Sequence, residues 1–279
     1  MFAVTIAEAR MDQQLAILEA LLEPPVFALV ALAFGLVIGS FANVCIHRLP
    51  LGLSVVKPRS RCPRCGHEIT ALENVPVLSW LALRGRCRGC RAPISVRYPL
   101  VEAANGAGYA ALAACFGPSP RTVVLMLFFT ALVVLALIDF DHQILPDAIT
   151  LPGVAVGLLA SLLPGAPTPL DSAVSAAVGY LAFWAVAASY RRLRGVEGLG
   201  QGDWKMVAML GAFLGWQPML LTVFFAALSG TLVGVALMLL RGRSRRHALP
   251  LGTFLAAGGI ATLFVGAPLI EWYRGLLRV

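Results

Sequence analysis

Charge is what this chain has least of. Only 13% of its 279 residues are charged, 14 of them acidic, while 59% are hydrophobic and the mean hydropathy is +0.82. Globular domains carry about 25% charged residues, so a soluble fold is excluded and the chain is expected to lie within a membrane. Several chemistries are missing too. There is no GxSxG nucleophile elbow, no HExxH helix and nothing like a Rossmann dinucleotide loop, and neither His142 nor His247 has an evident relay partner. Those hydrolase and dinucleotide-binding classes fall away. Residues 1–25 lack a basic start followed by an apolar run and a small-residue cleavage site, and "QQLAILEALLE" suggests an amphipathic segment instead of a signal peptide. Internal repeats and low-complexity tracts are also absent.

What the chain does have is long apolar runs. A membrane helix needs about 20 apolar residues to cross about 30 Å. Eight candidates fall near residues 26–45, 98–116, 122–139, 148–163, 172–190, 203–216, 218–240 and 250–271, the sixth and seventh divided only by "GWQP". An all-α polytopic membrane protein of about eight spans is therefore expected. If the first helix runs from outside to inside, the segments 46–97, 140–147, 191–205 and 241–249 are cytoplasmic, and they hold 18 of the 22 Lys and Arg residues. That bias fits the positive-inside rule and accounts for the net charge of +8 without a nucleic-acid partner. Membrane lipid is the expected surrounding.

Four of the six cysteines stand in the first of these segments, as "CPRCG" (Cys62, Cys65) and "CRGCR" (Cys87, Cys90), with 21 residues between the pairs. Two such knuckles can close a tetrahedral structural zinc site and tie together a segment too small for its own core. A disulfide reading is disfavoured on a reducing side of the membrane, and a redox CxxC is weakened by the doubling. His67 could stand in for a cysteine, but four thiolates already complete the shell. Cys45 and Cys115 lie in apolar helices, where a cysteine packs as a small hydrophobe.

Two acidic motifs complete the inventory. In "ALIDFDHQILPDAIT", Asp139 directly follows the apolar run of the third helix, Asp141 lies in the turn, and Asp147 stands where a helix N-cap is expected. In "GLGQGDWKMVAML", Asp203 opens the sixth helix at the same membrane boundary. A carboxylate beside hydrocarbon is costly and is paired, protonated or functional. Gly198, Gly200 and Gly202 leave the backbone before Asp203 without side chains, either for a positive φ or for close approach of a substrate chain. A glycine turn with a capping aspartate is the plain alternative. Two carboxylates converging at one depth would share a proton and could perform aspartic-protease chemistry. Lys205 is placed to tune the pair, to touch substrate or to snorkel at a helix end.

The chain resembles the bacterial prepilin peptidases, the type IV leader peptidases of the A24 aspartic family. The likeness rests on "GSFANVCIHRLP", the doubled CxxC, "RYPLVEAANG", "IDFDHQILPDAITLP" and "GLGQGDWKMVAMLGAFLGW", in that order. It implies that Asp139 and Asp203 are catalytic, and that the enzyme sits in the bacterial inner membrane. There it would cut the basic leader of type IV prepilins or type II secretion pseudopilins after a glycine, at the cytoplasmic face. It also implies N-methylation of the new amine with S-adenosylmethionine, for which Asn43, Arg48 and Glu102 are polar candidates at helix ends whose other reading is capping.

The resulting division is an amphipathic segment 1–25, a first helix 26–49, a zinc-binding domain 50–97 and a peptidase domain 98–279. A presenilin-type protease is disfavoured by the zinc knuckles and ILPD, and a methyltransferase without peptidase activity by the two intact acidic motifs. A transporter or scaffold using the two aspartates as a proton or cation site is the alternative from another class.

Overall fold

The computed structural model describes residue 14 and residues 19–196, 198–241 and 249–277. Residues 1–13 and 15–18 of the expected amphipathic segment, and 242–248 of the fourth basic segment, lie outside that set. Among the described residues no β-strand forms, and the chain is helical: α1 (Pro24–Arg48), α2 (Leu78–Ala82), α3 (Arg97–Phe116), α4 (Pro120–His142), α5 (Asp147–Ala160), α6 (Pro169–Arg194), α7 (Gln201–Leu214), α8 (Trp216–Arg241) and α9 (Leu251–Leu276).

A helix stands at each of the eight apolar runs. Five are long and apolar enough to cross a membrane: Pro24–Leu51, Pro120–His142, Pro169–Arg194, Trp216–Leu240 and Leu251–Leu276. The helices α5 and α7 have 14 residues each, about 21 Å of length. Both are too short to reach across about 30 Å of hydrocarbon alone. The "GWQP" boundary is real. Gly215 ends α7 with φ +76, a conformation that glycine adopts without steric cost. Asp171 then caps the next helix, its Oδ1 accepting the Trp216 N–H at 3.2 Å and the Ser175 hydroxyl at 2.9 Å.

By contact the chain divides into two compact units, one of residues 1–43 and 59–126, the other of 44–58 and 127–279. In the first unit, Gly35 and Gly39 form a GxxxG face on α1. A Cβ on Gly35 would lie 2.8 Å from the Gly106 Cα, and one on Gly39 2.8 Å from the Glu102 Cα. Small residues are what let two membrane helices approach this closely. The buried Asn105 amide reinforces the seam by donating to the Gly35 carbonyl at 2.8 Å.

In the second unit α7 is the hub, packed by α5, α6, α8 and α9. All eight residues from Met206 to Phe213 are buried. A helix apolar on every side belongs in the middle of a bundle, and this arrangement fixes the start of α7, where Asp203 stands. Phe213 stacks on Phe128 of α4 with centroids 4.1 Å apart, joining α7 to the helix that carries Asp139.

Candidate active site

Asp139 sits in the last turn of α4 and Asp203 in the first turn of α7. The structure brings both to one cavity of about 540 Å³, lined also by Asp147, Lys205 and the loop before α7. Their residues are 5% and 8% exposed, and both carboxylates line the same cavity. Asp203 closes a capping box on α7: its Oδ2 accepts the Gly200 N–H at 3.0 Å, and its own N–H donates to the Gly200 carbonyl at 3.1 Å. The plain reading of that aspartate, a helix cap, thus holds alongside its place in the cavity. Asp139 is held from the opposite direction by the start of α9, where Thr253 donates its N–H to Oδ2 at 2.7 Å.

The glycines of the loop do different work from that expected. None of Gly198, Gly200 and Gly202 has positive φ. A Cβ on Gly198 would run into the Tyr190 ring and one on Gly202 would lie 2.7 Å from the Leu145 Cβ, so these two permit packing. A Cβ on Gly200 would meet only the Asp203 Oδ2, at 3.4 Å, which is ordinary contact. Asp147 is the first residue of α5 and makes no side-chain cap. Its carboxylate instead takes the Lys205 ammonium at 2.7 and 2.8 Å, across 58 residues of sequence. Lys205 is therefore neutralised at the edge of the cavity, and its side chain is only 20% exposed.

The cysteine segment forms two similar knuckles in the first unit. Cys62 N–H donates to the His67 carbonyl and Cys87 N–H to the Ala92 carbonyl, each at 2.8 Å, so both loops turn back on the same pattern. The four Sγ atoms lie within 4.8 Å of one another, with Cys62 to Cys90 at 3.8 Å and Cys65 to Cys87 at 4.0 Å. A tetrahedron of Zn–S bonds of about 2.3 Å has edges of about 3.8 Å, so the cluster has the size zinc requires. The backbone amides of Cys65 and Arg64 hold the Cys62 thiol down at about 6. The Cys65 sulfur receives the His67 amide, yet it is pushed up to about 12 by the Cys90 sulfur, desolvation and the sulfurs of Cys62 and Cys87. Four sulfurs this close all carry charge only around a cation. The cluster can bind a metal such as zinc.

His67 is not a ligand here, since its Nε2 lies 3.1 Å from both Glu73 carboxylate oxygens. The Thr70 amide, opposed by some desolvation and helped by His67 and the Thr70 hydroxyl, holds the Glu73 carboxyl at about 2, below its ordinary 4.5. A lowered carboxyl pKa stabilises the fold above the unfolded value and loses that effect as pH falls through the folded one. The stability difference between the protein and its Glu73→Gln variant is thus expected to be full above pH 4.5 and to vanish towards pH 2, read by hydrogen exchange across residues 59–95.

Two family models match the chain. That of the bacterial peptidase A24 N-terminal domain covers residues 33–116, and that of the type IV leader peptidase family covers residues 126–235. The chain belongs to the type IV leader peptidase family. Proteins named prepilin leader peptidase/N-methyltransferase are similar to it along most of their length. The one from Aeromonas hydrophila is 42% identical, over 88% of this chain and 93% of its own. That from Burkholderia pseudomallei strain K96243 is 45% identical over 85% of each, and that from Pseudomonas putida 44% over 87% and 92%. No solved structure matches.

The leader peptidase model spans both Asp139 and Asp203 but stops before Thr253, which sequence reasoning also passed over. Its one signal was position: an eighth helix entering from the same boundary opens its N-terminal amides toward Asp139. The methyltransferase candidates are all engaged in the fold. Asn43 Nδ2 donates to the Tyr98 carbonyl at 3.1 Å, and Arg48 donates to the carbonyls of Ser54 and Pro58 at 2.9 and 2.8 Å. Glu102 accepts the Val77 N–H at 2.7 Å, which holds that valine at a strained φ of 61.

Proposed function

We propose that this protein is a membrane-embedded aspartic endopeptidase that removes the leader of type IV prepilins or type II secretion pseudopilins after a glycine, with Asp139 and Asp203 as its catalytic pair. The observation that carries this reading is the cavity shared by two buried carboxylates from helices 64 residues apart in sequence. Like charges that close do not both ionise cheaply, so the pair holds one proton between them. The ionised member takes a proton from water while the water oxygen bonds to the scissile carbonyl carbon, and the protonated member gives its proton to the carbonyl oxygen. The tetrahedral gem-diol then collapses: the C–N bond breaks, the leaving amine takes up the proton held by the first carboxylate, and a diol hydroxyl returns its proton to the second carboxylate as the carbonyl re-forms, which restores the singly protonated pair. Gly200 supports the site by giving its N–H to the Asp203 carboxylate, Gly202 by letting the start of α7 pack on Leu145, and Lys205 by its ion pair with Asp147.

The integral membrane character follows from the five long apolar helices. We place the protein in the bacterial inner membrane with the cavity and the cysteine knuckles toward the cytoplasm, because the basic segments lie on that side of the topology. A prepilin anchored by its apolar N-terminal helix would then present its basic leader, and the bond to be cut, at the depth of the pair. Residues 50–97 form the zinc-binding domain and 98–279 the peptidase domain in this proposal. Zinc would be held by Cys62, Cys65, Cys87 and Cys90 in a structural role. The relatives' shared name supports a second activity, in which S-adenosylmethionine supplies a methyl group to the amine freed by cleavage.

The test is to incubate the purified protein in detergent with a full-length prepilin and methyl-labelled S-adenosylmethionine, reading product mass and label together. A shortened product labelled at its new N-terminus is expected. An uncut prepilin overturns the peptidase reading, and a cut but unlabelled product removes the methyl transfer.

A further inference from the structure

The two carboxylates in the cavity are not held alike. Asp203 accepts the single N–H of Gly200. Asp139 accepts the Thr253 N–H at 2.7 Å and the Thr253 hydroxyl at 3.2 Å, both on Oδ2. The Thr253 amide belongs to the first turn of α9, a 26-residue helix whose aligned peptide dipoles place partial positive charge at that end. The Thr253 hydroxyl has a second acceptor, the Ala136 carbonyl at 3.0 Å, one turn back on the helix that carries Asp139. A hydroxyl has one proton, so Thr253 can serve Asp139 when that carboxylate is charged and Ala136 when it is not. Gly252 makes the approach possible, since a Cβ there would stand 3.0 Å from the Asp139 Cγ.

We infer that Thr253 is a positioning residue that fixes the division of labour in the pair: it holds Asp139 as the member that carries the charge and takes the proton from water, which leaves the shared proton on Asp203. Hydrogen bonds to a charged carboxylate favour its ionised form, and among the described residues two donors on Asp139 against one on Asp203 set the preference. Saturating Oδ2 with donors also fixes the rotation of the Asp139 carboxylate relative to the cavity. The inference rests on the reading of Asp139 and Asp203 as the catalytic pair, and it concerns a residue beyond the reach of either matching family model.

Thr253→Val and Thr253→Ser separate shape from hydrogen bonding. Valine keeps the branched volume and loses the hydroxyl, whereas serine keeps the hydroxyl and loses the methyl. In prepilin cleavage the valine variant is expected to lose roughly ten- to a hundredfold in kcat, the range for a hydrogen bond to a charged group. KM should stay within about threefold, because substrate contacts are untouched. The serine variant is expected to stay within about threefold of the unmodified protein in both. Thr253→Ala carries the same prediction as valine, should valine lower thermal stability. A valine variant with undiminished kcat, or a serine variant as impaired as valine, overturns the inference. Asp139→Asn run beside them keeps the two claims apart: if it cleaves, the pair itself fails, and if it is inactive while Thr253→Val is fully active, only the role of Thr253 fails.

Discussion

Asp139→Asn and Asp203→Asn, made separately, are each expected to reduce prepilin cleavage by at least about a thousandfold while the protein stays folded. A positioned general acid or base contributes about 10²–10⁴ in rate, and the two act in one step, so the loss of either disables both. The substitutions are conservative in the ways that matter for folding. An asparagine at 203 still offers a carbonyl oxygen to the Gly200 N–H, so the capping box on α7 survives. One at 139 still accepts the Thr253 N–H. Neither changes volume in a region where Met206, Met209, Leu210 and Leu255 are fully buried. Cleavage is read by product mass and folding by the thermal transition in detergent. Full cleavage by either variant excludes the pair, and loss of cleavage together with a collapsed transition would point to a structural role for that carboxylate.

Much of this site was visible in the residues alone because membrane topology does long-range work cheaply. Once the runs were placed and oriented, Asp139 at the end of one and Asp203 at the start of another had to meet one boundary, and the cavity lined by both is the outcome. What could not be read was which helix neighbours which. The approach of Thr253 to Asp139 spans 114 residues and depends on α9 packing beside the end of α4, a lateral arrangement that hydropathy does not encode. The Asp147 to Lys205 ion pair was hidden for the same reason, and the expectation of an N-cap role for Asp147 came from local rules that tertiary pairing overrode. Helix α7 shows a further limit. The apolar run at 203–216 reads as a membrane span, yet it forms a 14-residue helix too short to cross alone, and its surroundings are other helices.

Changing Cys62 and Cys65 together to serine is expected to abolish zinc binding, from one equivalent to none, and to unfold the knuckles locally. The segment has little else to hold it. Among the described residues its only strand-like pairings are isolated bridges, Arg61 with Glu68 and Arg86 with Pro93. Of the four cysteines only Cys87 is buried, and the ion pairs of Glu68 with Arg59 and Arg61 are exposed contacts that contribute about 0–1 kcal/mol each. A structural zinc site contributes about 10–16 kcal/mol in small peptides, far more than these contacts together. Two remaining thiolates cannot close a tetrahedral shell, and His67 is committed to Glu73. Metal content per protein is the first reading, and hydrogen exchange across residues 59–95 the second. The amides of Cys62, Gly66, Cys87 and Arg91, which close the two knuckles, should lose protection first. A double variant that keeps one equivalent of zinc would show that the four sulfurs are not the ligand set, whatever their spacing.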